Sequence, residues 1–304
     1  MARIHVKIED GTPMKYLKDG LMNAERSKTS KRSGPLPMVR EIYRKERTMV
    51  CYLYVFMIFR AIFTTDWETA KDSLHGLEHA ISELDPDAEP TMSLLFTHLT
   101  AMYWQGTGAL EEALNLYRDE AFALPDPNYS PQTPDAQVTR DIAIVATMNS
   151  LLILNALPNP DVQANTETLD RLKPFCLSHP NIDIQTAYHI LLTVITTSPP
   201  TSQLATKSYM RSALTGAKKR GNFHMVAITL NVMCTRFFVN IIGEQSIKSA
   251  MAAKEQSAKS GNRVWMSAAS GLLARSLEIE GKREQGVKMN EEAVRLAEGA
   301  LVSN

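Results

Sequence analysis

The chain has 304 residues, 44% of them hydrophobic and 22% charged, enough apolar material for one elongated domain or two with substantial cores. Lys plus Arg equals Asp plus Glu at 33 each, and this neutral balance argues against a nucleic-acid backbone as the main ligand. Cys51, Cys176 and Cys234 are too few and too widely spaced for a disulfide framework or a zinc finger, and each is expected to pack as a small buried hydrophobe in a reducing compartment.

Residues 1–35 read as an N-terminal extension and linker, partly disordered. Ile4, Val6 and Ile8 alternate as in a short strand, a Gly-Thr-Pro turn follows, and residues 15–24 suit a short helix. Residues 1–10 lack the apolar stretch of a signal peptide. The polar, basic stretch 25–33, closed by Gly34-Pro35, reads as a loop; its cluster at 28–32 is more consistent with solvated cations than with a nuclear-import signal.

Residues 36–304 read as a TPR-like helical repeat domain. Apolar residues at i, i+3, i+4 and i+7 predict helices at 38–63, 66–84, 91–106, 109–120, 136–157, 164–178, 182–197, 201–219, 223–241, 244–259, 262–280 and 283–299. In the first, the apolar run 49–59 falls short of the roughly 20 residues of a membrane span, so it is expected to be a core helix buried on most sides. Segment 182–197 is rich in Ile, Val and Thr and is the weakest helix. Residues 122–136 hold four prolines and are expected to form an extended, exposed excursion that interrupts the array. Ser130-Pro131 and Thr133-Pro134 make that excursion a candidate for proline-directed phosphorylation.

The predicted helices pair. Small residues recur where the two helices of a pair must cross closely: Ala70 and Ala113 are 43 residues apart, Ser246 and Gly286 are 40 apart. Both spacings exceed the 34 residues of a TPR unit, which implies degenerate units with long helices. The fold class is therefore all-α, a TPR-like right-handed superhelix of stacked antiparallel pairs, in which neighbouring pairs complete one another's cores.

Motifs of chemistry are weak. His75 and His79 with Glu78 fit the H-x-x-E-H spacing of zinc peptidases, but they fall nearly opposite the apolar stripe Ala70, Leu74, Leu77, Ile81, Leu84, on the solvent side of their helix. Gly106-Thr107-Gly108 has no third glycine and no preceding strand, so it is no dinucleotide loop. Trp67, Trp104 and Trp265 lie at core spacing and read as packing residues. The cluster Lys218-Lys219-Arg220 ends a helix and complements its dipole. The expectation is a protein with no catalytic residues, no metal, no cofactor, no small-molecule substrate and no membrane contact. If first helices line a groove, as in TPR arrays, the partner-binding residues are His98, Gln105, Asn231, Thr235, Phe238, Arg275 and Glu278.

Segments 102–119 (MYWQGTGALEEALNLYRD), 221–238 (GNFHMVAITLNVMCTRFF) and 261–285 (GNRVWMSAASGLLARSLEIEGKREQ), with YLKDGL at 16–21, resemble the cohesin-loading factor family in its fungal form. The resemblance covers most of residues 14–300 and corresponds to the C-terminal part of longer family members. It implies the small TPR-built subunit of the complex that loads cohesin rings. On that reading the chain is a nuclear scaffold without catalytic residues. Its partner is an extended segment of the large HEAT-repeat loader subunit, through which it reaches chromatin in sister chromatid cohesion. A generic TPR adaptor of another intracellular complex is the alternative.

Overall fold

The computed structural model describes residues 12–27, 36–84, 90–127, 129–195, 200–238 and 243–300. Among them are thirteen α-helices and one short 3₁₀ turn, with no strand. The strand expected at Ile4–Ile8 and most of the basic loop lie outside the described residues. The chain divides into two compact units, Met1–Leu116 and Tyr117–Asn304.

The first unit contains α1 (Thr12–Ser27), α2 (Leu36–Thr64), α3 (Trp67–Ser82), α4 (Pro90–Thr107) and nearly all of α5 (Leu110–Tyr117). Asp66 starts α3 as its N-cap, accepting the Thr69 N–H at 3.2 Å and so folding α3 back on α2. The core is built from Cys51, Ile58, Ala61, Ala70, Leu77 and Leu99, each without exposed surface. Arg47 is 5% exposed and is held inside by Glu83 at 2.6 Å, an ion pair that links α2 to the end of α3. At Gly76 the two helices come so close that a Cβ would lie 2.3 Å from the Tyr54 ring. Trp67 meets Tyr103 edge-on at 6.2 Å and is 8% exposed, as its core spacing implied.

Helix α2 departs from the expectation of burial on most sides. Met49, Tyr52, Phe56 and Phe63 follow one another along its outer face and are 42–58% exposed. By length and composition both α2 (Arg44–Thr64) and α6 (Pro134–Ala156) could cross a membrane, but each lays one face into the core of its own unit.

The second unit opens with a 3₁₀ turn, Glu120–Phe122, whose Phe122 packs edge-on to Tyr117 at 6.2 Å. Helices α6 (Pro134–Ala156), α7 (Val162–Leu177), α8 (Ile182–Ile195), α9 (Pro200–Arg220), α10 (Phe223–Phe237), α11 (Glu244–Ser260), α12 (Arg263–Ile279) and α13 (Arg283–Glu298) follow. They pack as sequential pairs, α6 with α7, α8 with α9, α10 with α11 and α12 with α13, and the short connections make partners antiparallel. Pairs also touch across, α8 on α10 and α10 on α12, so the first helices stand side by side. Pro134 begins α6 at the first helical position, where its missing N–H costs nothing, so α6 starts two residues earlier than the proline count implied.

Helix α8 is helical despite its β-branched content. Ile184, Thr186, Tyr188, Ile190, Leu191, Thr193 and Ile195 are all buried, so composition there reflects packing on several sides. Thr193 satisfies its hydroxyl by donating to the His189 carbonyl at 2.9 Å. His179 ties the α7–α8 turn to α6. Its Nδ1 accepts from the Asn181 N–H at 3.0 Å, which leaves Nε2–H to donate to Asp141 at 3.1 Å.

Two junctions repeat. Helix α9 ends on Gly221 (φ 68°) and α11 on Gly261 (φ 70°), a left-handed conformation that costs glycine little. Each is followed by an asparagine that caps the next helix: Asn222 accepts from Met225 N–H at 3.1 Å, Asn262 from Trp265 N–H at 3.0 Å. Helix α13 packs on α12 at Gly286, where a Cβ would meet Glu278 Cγ at 2.7 Å and the Ala274 carbonyl at 3.2 Å. Ser246 of α11 reaches Ser276 of α12, hydroxyl to hydroxyl, at 2.8 Å. The small residues chosen by spacing, Ser246 and Gly286, thus stand at helix–helix contacts.

Asn262→Ala removes a cap and should cost ~1 kcal/mol in urea unfolding, whereas Gly286→Val should cost ~2 kcal/mol by pushing α13 off α12. The two effects should add within about 0.5 kcal/mol, since cap and crossing share no partner. Buried imidazoles in both units, His98 in the first and His224 in the second, contribute acid dependence. His98 of α4 is 4% exposed, and burial holds its imidazole down to about 4. The unfolded imidazole, near 6.5, therefore takes up a proton first, and stability is lost as pH falls from about 6.5 toward 4. His98→Gln should reduce the acid limb in unfolding titrations and His98→Gln with His224→Gln should reduce it further; an unchanged slope in the double variant would assign it to other groups.

Candidate partner-binding site

Seven residues carried the expectation of a groove, and the structure sorts them by burial. His98 lies inside the first unit. Asn231, on α10 in the second, is 2% exposed. Its amide donates to the Ala227 carbonyl at 2.9 Å and to the Ser257 hydroxyl of α11 at 3.0 Å. Asn231 is therefore a polar clasp within the α10–α11 pair, out of a partner's reach. Both residues fill space between stacked helices. Gln105 is half-buried on α4.

The other four fall in the second unit and remain accessible. Thr235 is exposed on α10, its hydroxyl donating to the Asn231 carbonyl at 2.6 Å. Arg275 and Glu278 are exposed on α12. Phe238 closes α10 as its C-cap residue, its N–H donating to the Cys234 carbonyl, and packs half-buried against the α10–α11 core. Phe238 and Arg275 meet at one shallow depression, bordered also by Cys234, Ser246, Leu272 and Ser276.

Around these residues the outward faces of α10 and α12 are mostly apolar or small. Helix α10 presents Ile228 and Val232 half-buried before Thr235. Helix α12 presents Val264 and Ala268 before Arg275, Glu278 and Ile279. An apolar face with a few polar and charged groups at one end suits an extended or helical peptide, whose backbone needs donors and acceptors and whose side chains need apolar seats.

Trp104 was read as a packing residue and is instead 37% exposed near the end of α4, edge-on to Tyr103 at 5.2 Å. Trp265 is half-buried. Exposed tryptophan is a frequent anchor in interfaces, so Trp104 joins the candidates. The signal was present in the sequence: Trp104 follows the buried Leu99 and Tyr103 at i+5 and i+1, off their face.

Reactive chemistry is not assembled among the described residues. His75 and His79 lie exposed on α3, opposite Ala70, Leu74 and Leu77. His79 approaches only Glu83, at 4.0 Å, and no group of three His, Cys, Asp or Glu side chains converges among the described residues. All three cysteines are buried, and burial pushes the thiol of Cys176 up to about 12 and that of Cys234 up to about 11, which suppresses the nucleophilic thiolate. The cations Lys218, Lys219 and Arg220 are exposed at the C-terminus of α9, with Arg220 also 3.6 Å from Asp183.

No curated protein and no solved structure matches the chain. A family model does, under the description Cohesin loading factor, over residues 2–284. That span runs from before α1 to the start of α13 and takes in every candidate residue named above, and the chain belongs to the cohesin loading factor family.

Proposed function

We propose that the chain is a non-enzymatic scaffold that holds an extended segment of the large HEAT-repeat cohesin-loader subunit and works in the nucleus in sister chromatid cohesion. It touches chromatin through that partner. The observation that carries this reading is the family match across the stacked pairs; a role in cohesin loading follows from the family itself. The accessible α10–α12 face supports it, with Thr235, Phe238, Arg275 and Glu278 near one end and an apolar run behind them.

In this reading Phe238 seats one apolar side chain of the partner while Arg275 and Glu278 fix its register by charge. Anchors of this kind dominate binding energy, and rim charges set orientation and rate. Arg275→Glu combined with Thr235→Arg should weaken capture of a recombinant loader subunit on the order of tenfold, with helical content unchanged. Both positions are exposed, so the variant keeps the core intact. Titration calorimetry or surface capture measures the change. Full affinity in a folded double variant would move the interface elsewhere, and failure of the unaltered chain to bind any loader subunit would favour an adaptor role in another complex.

A further inference from the structure

The excursion between the 3₁₀ turn and α6 is anchored at both ends. On its N-terminal side Phe122 is 3% exposed and Leu124 packs on the α6–α8 core. On its C-terminal side Thr133 is the N-cap of α6. Its hydroxyl oxygen accepts the Ala136 N–H at 3.2 Å and its carbonyl accepts the Gln137 N–H at 3.0 Å. Between these anchors Tyr129, Ser130 and Gln132 are exposed.

Two hydroxyls there precede a proline, and the backbone separates them. A kinase cleft binds its substrate extended, with the residues just after the hydroxyl free to lie along the cleft. After Ser130 come Pro131, Gln132 and Thr133, none of them helical, and Thr133 itself is extended (φ −125°, ψ 155°). After Thr133 come Pro134, Asp135 and Ala136, the first turn of α6. To present Thr133 the protein must open that turn and give up its cap.

We propose that Ser130 is a phosphorylation site for proline-directed protein kinases and that the capping role of Thr133 protects it from the same enzymes. The Ser130 hydroxyl oxygen attacks the γ-phosphorus of a nucleoside triphosphate, the phosphoanhydride bond breaks, the nucleoside diphosphate leaves with the bonding electrons, and the hydroxyl proton passes to the kinase's base. The phosphate adds nearly two negative charges to a loop whose flanking ionisable side chains, Asp126 and Asp135, are already acidic. Because both anchors are untouched, the modification changes what the loop presents and leaves the fold of the unit as it was. The ligand it creates is an acidic one, suited to an arginine- or lysine-rich surface.

The test uses the full chain, its Ser130→Ala and Thr133→Ala variants, and a cyclin-dependent-type kinase with ATP, verified active on a standard peptide. Incorporation is followed by intact mass and the site located by fragmentation. One phosphate per chain on Ser130 is expected. Loss of a cap shifts a helix-end equilibrium on the order of tenfold, so labelling of Thr133 in the unaltered chain should lag Ser130 by about that factor. Ser130→Ala should abolish the fast phase and Thr133→Ala should preserve it. The phosphorylated chain should melt at the same temperature as the unmodified one. Preferential labelling of Thr133, an unchanged rate in Ser130→Ala, or no incorporation at all would each overturn the proposal, and a large shift in melting temperature would overturn the claim that the anchors hold.

Discussion

Close approach of paired helices is the constraint on which each unit depends. An amphipathic helix buries its stripe only if its partner's backbone lies near enough for the side chains to interdigitate, and the crossing point then has no room for a side chain of its own. Gly286 meets this demand between α12 and α13, and Gly76 between α2 and α3. Once the crossing is fixed, the remaining register is set by polar contacts that tolerate little displacement. Asn231 reaches Ser257 within one pair, Ser246 reaches Ser276 between pairs, and Lys254 of α11 reaches Glu292 of α13 at 2.5 Å. Such contacts add little net energy but penalise a slipped alignment, because slipping strands a buried donor.

Most of the helical order was legible in the sequence because its signals are local. Apolar spacing located the helices to within a few residues, and the small residues at 246 and 286 marked their contacts. What periodicity could not separate was the two flanks of a first helix. In stacked pairs such a helix is covered by its own partner on one side and by the neighbouring pair on the other, so the buried arc is wide. Asn231 lies within that arc, next to Leu230 and three residues before Cys234. An amide in such a place reads equally as a groove donor or as a clasp, and only the position of Ser257, 26 residues away, decides it. Trp104 departs the other way: core spacing assigns it to the interior, yet it follows the buried Tyr103 by one residue and occupies the exposed side of α4. The outer face of α2 shows the same limit, since a nearly unbroken apolar run has no polar residues to mark which side meets solvent.

The proposed binding face and the absence of assembled reactive groups among the described residues fit together physically. Catalysis needs a walled cavity in which ionisable groups perturb one another. Here His98, Cys176 and Cys234 are shifted by burial, which disfavours their charged forms, and not by ionisable neighbours. The accessible surface instead offers exposed and half-buried residues on α10 and α12, with a shallow depression at Phe238 and Arg275. Surface of that kind discriminates between partners by shape and charge over its length.

The glycine–asparagine junctions at 221–222 and 261–262 bear on how the second unit is made as well as how it stands. Each stops one helix and starts the next within two residues, using only groups that are neighbours in the chain. The contacts they organise are therefore close in sequence, and closing such short loops costs little entropy. The junctions join α9 to α10 and α11 to α12, so each completed pair is followed at once by the first helix of the next, which adds to a template already in place. Assembly then proceeds in the order of synthesis, and the most exposed intermediate at any moment is one helix pair wide.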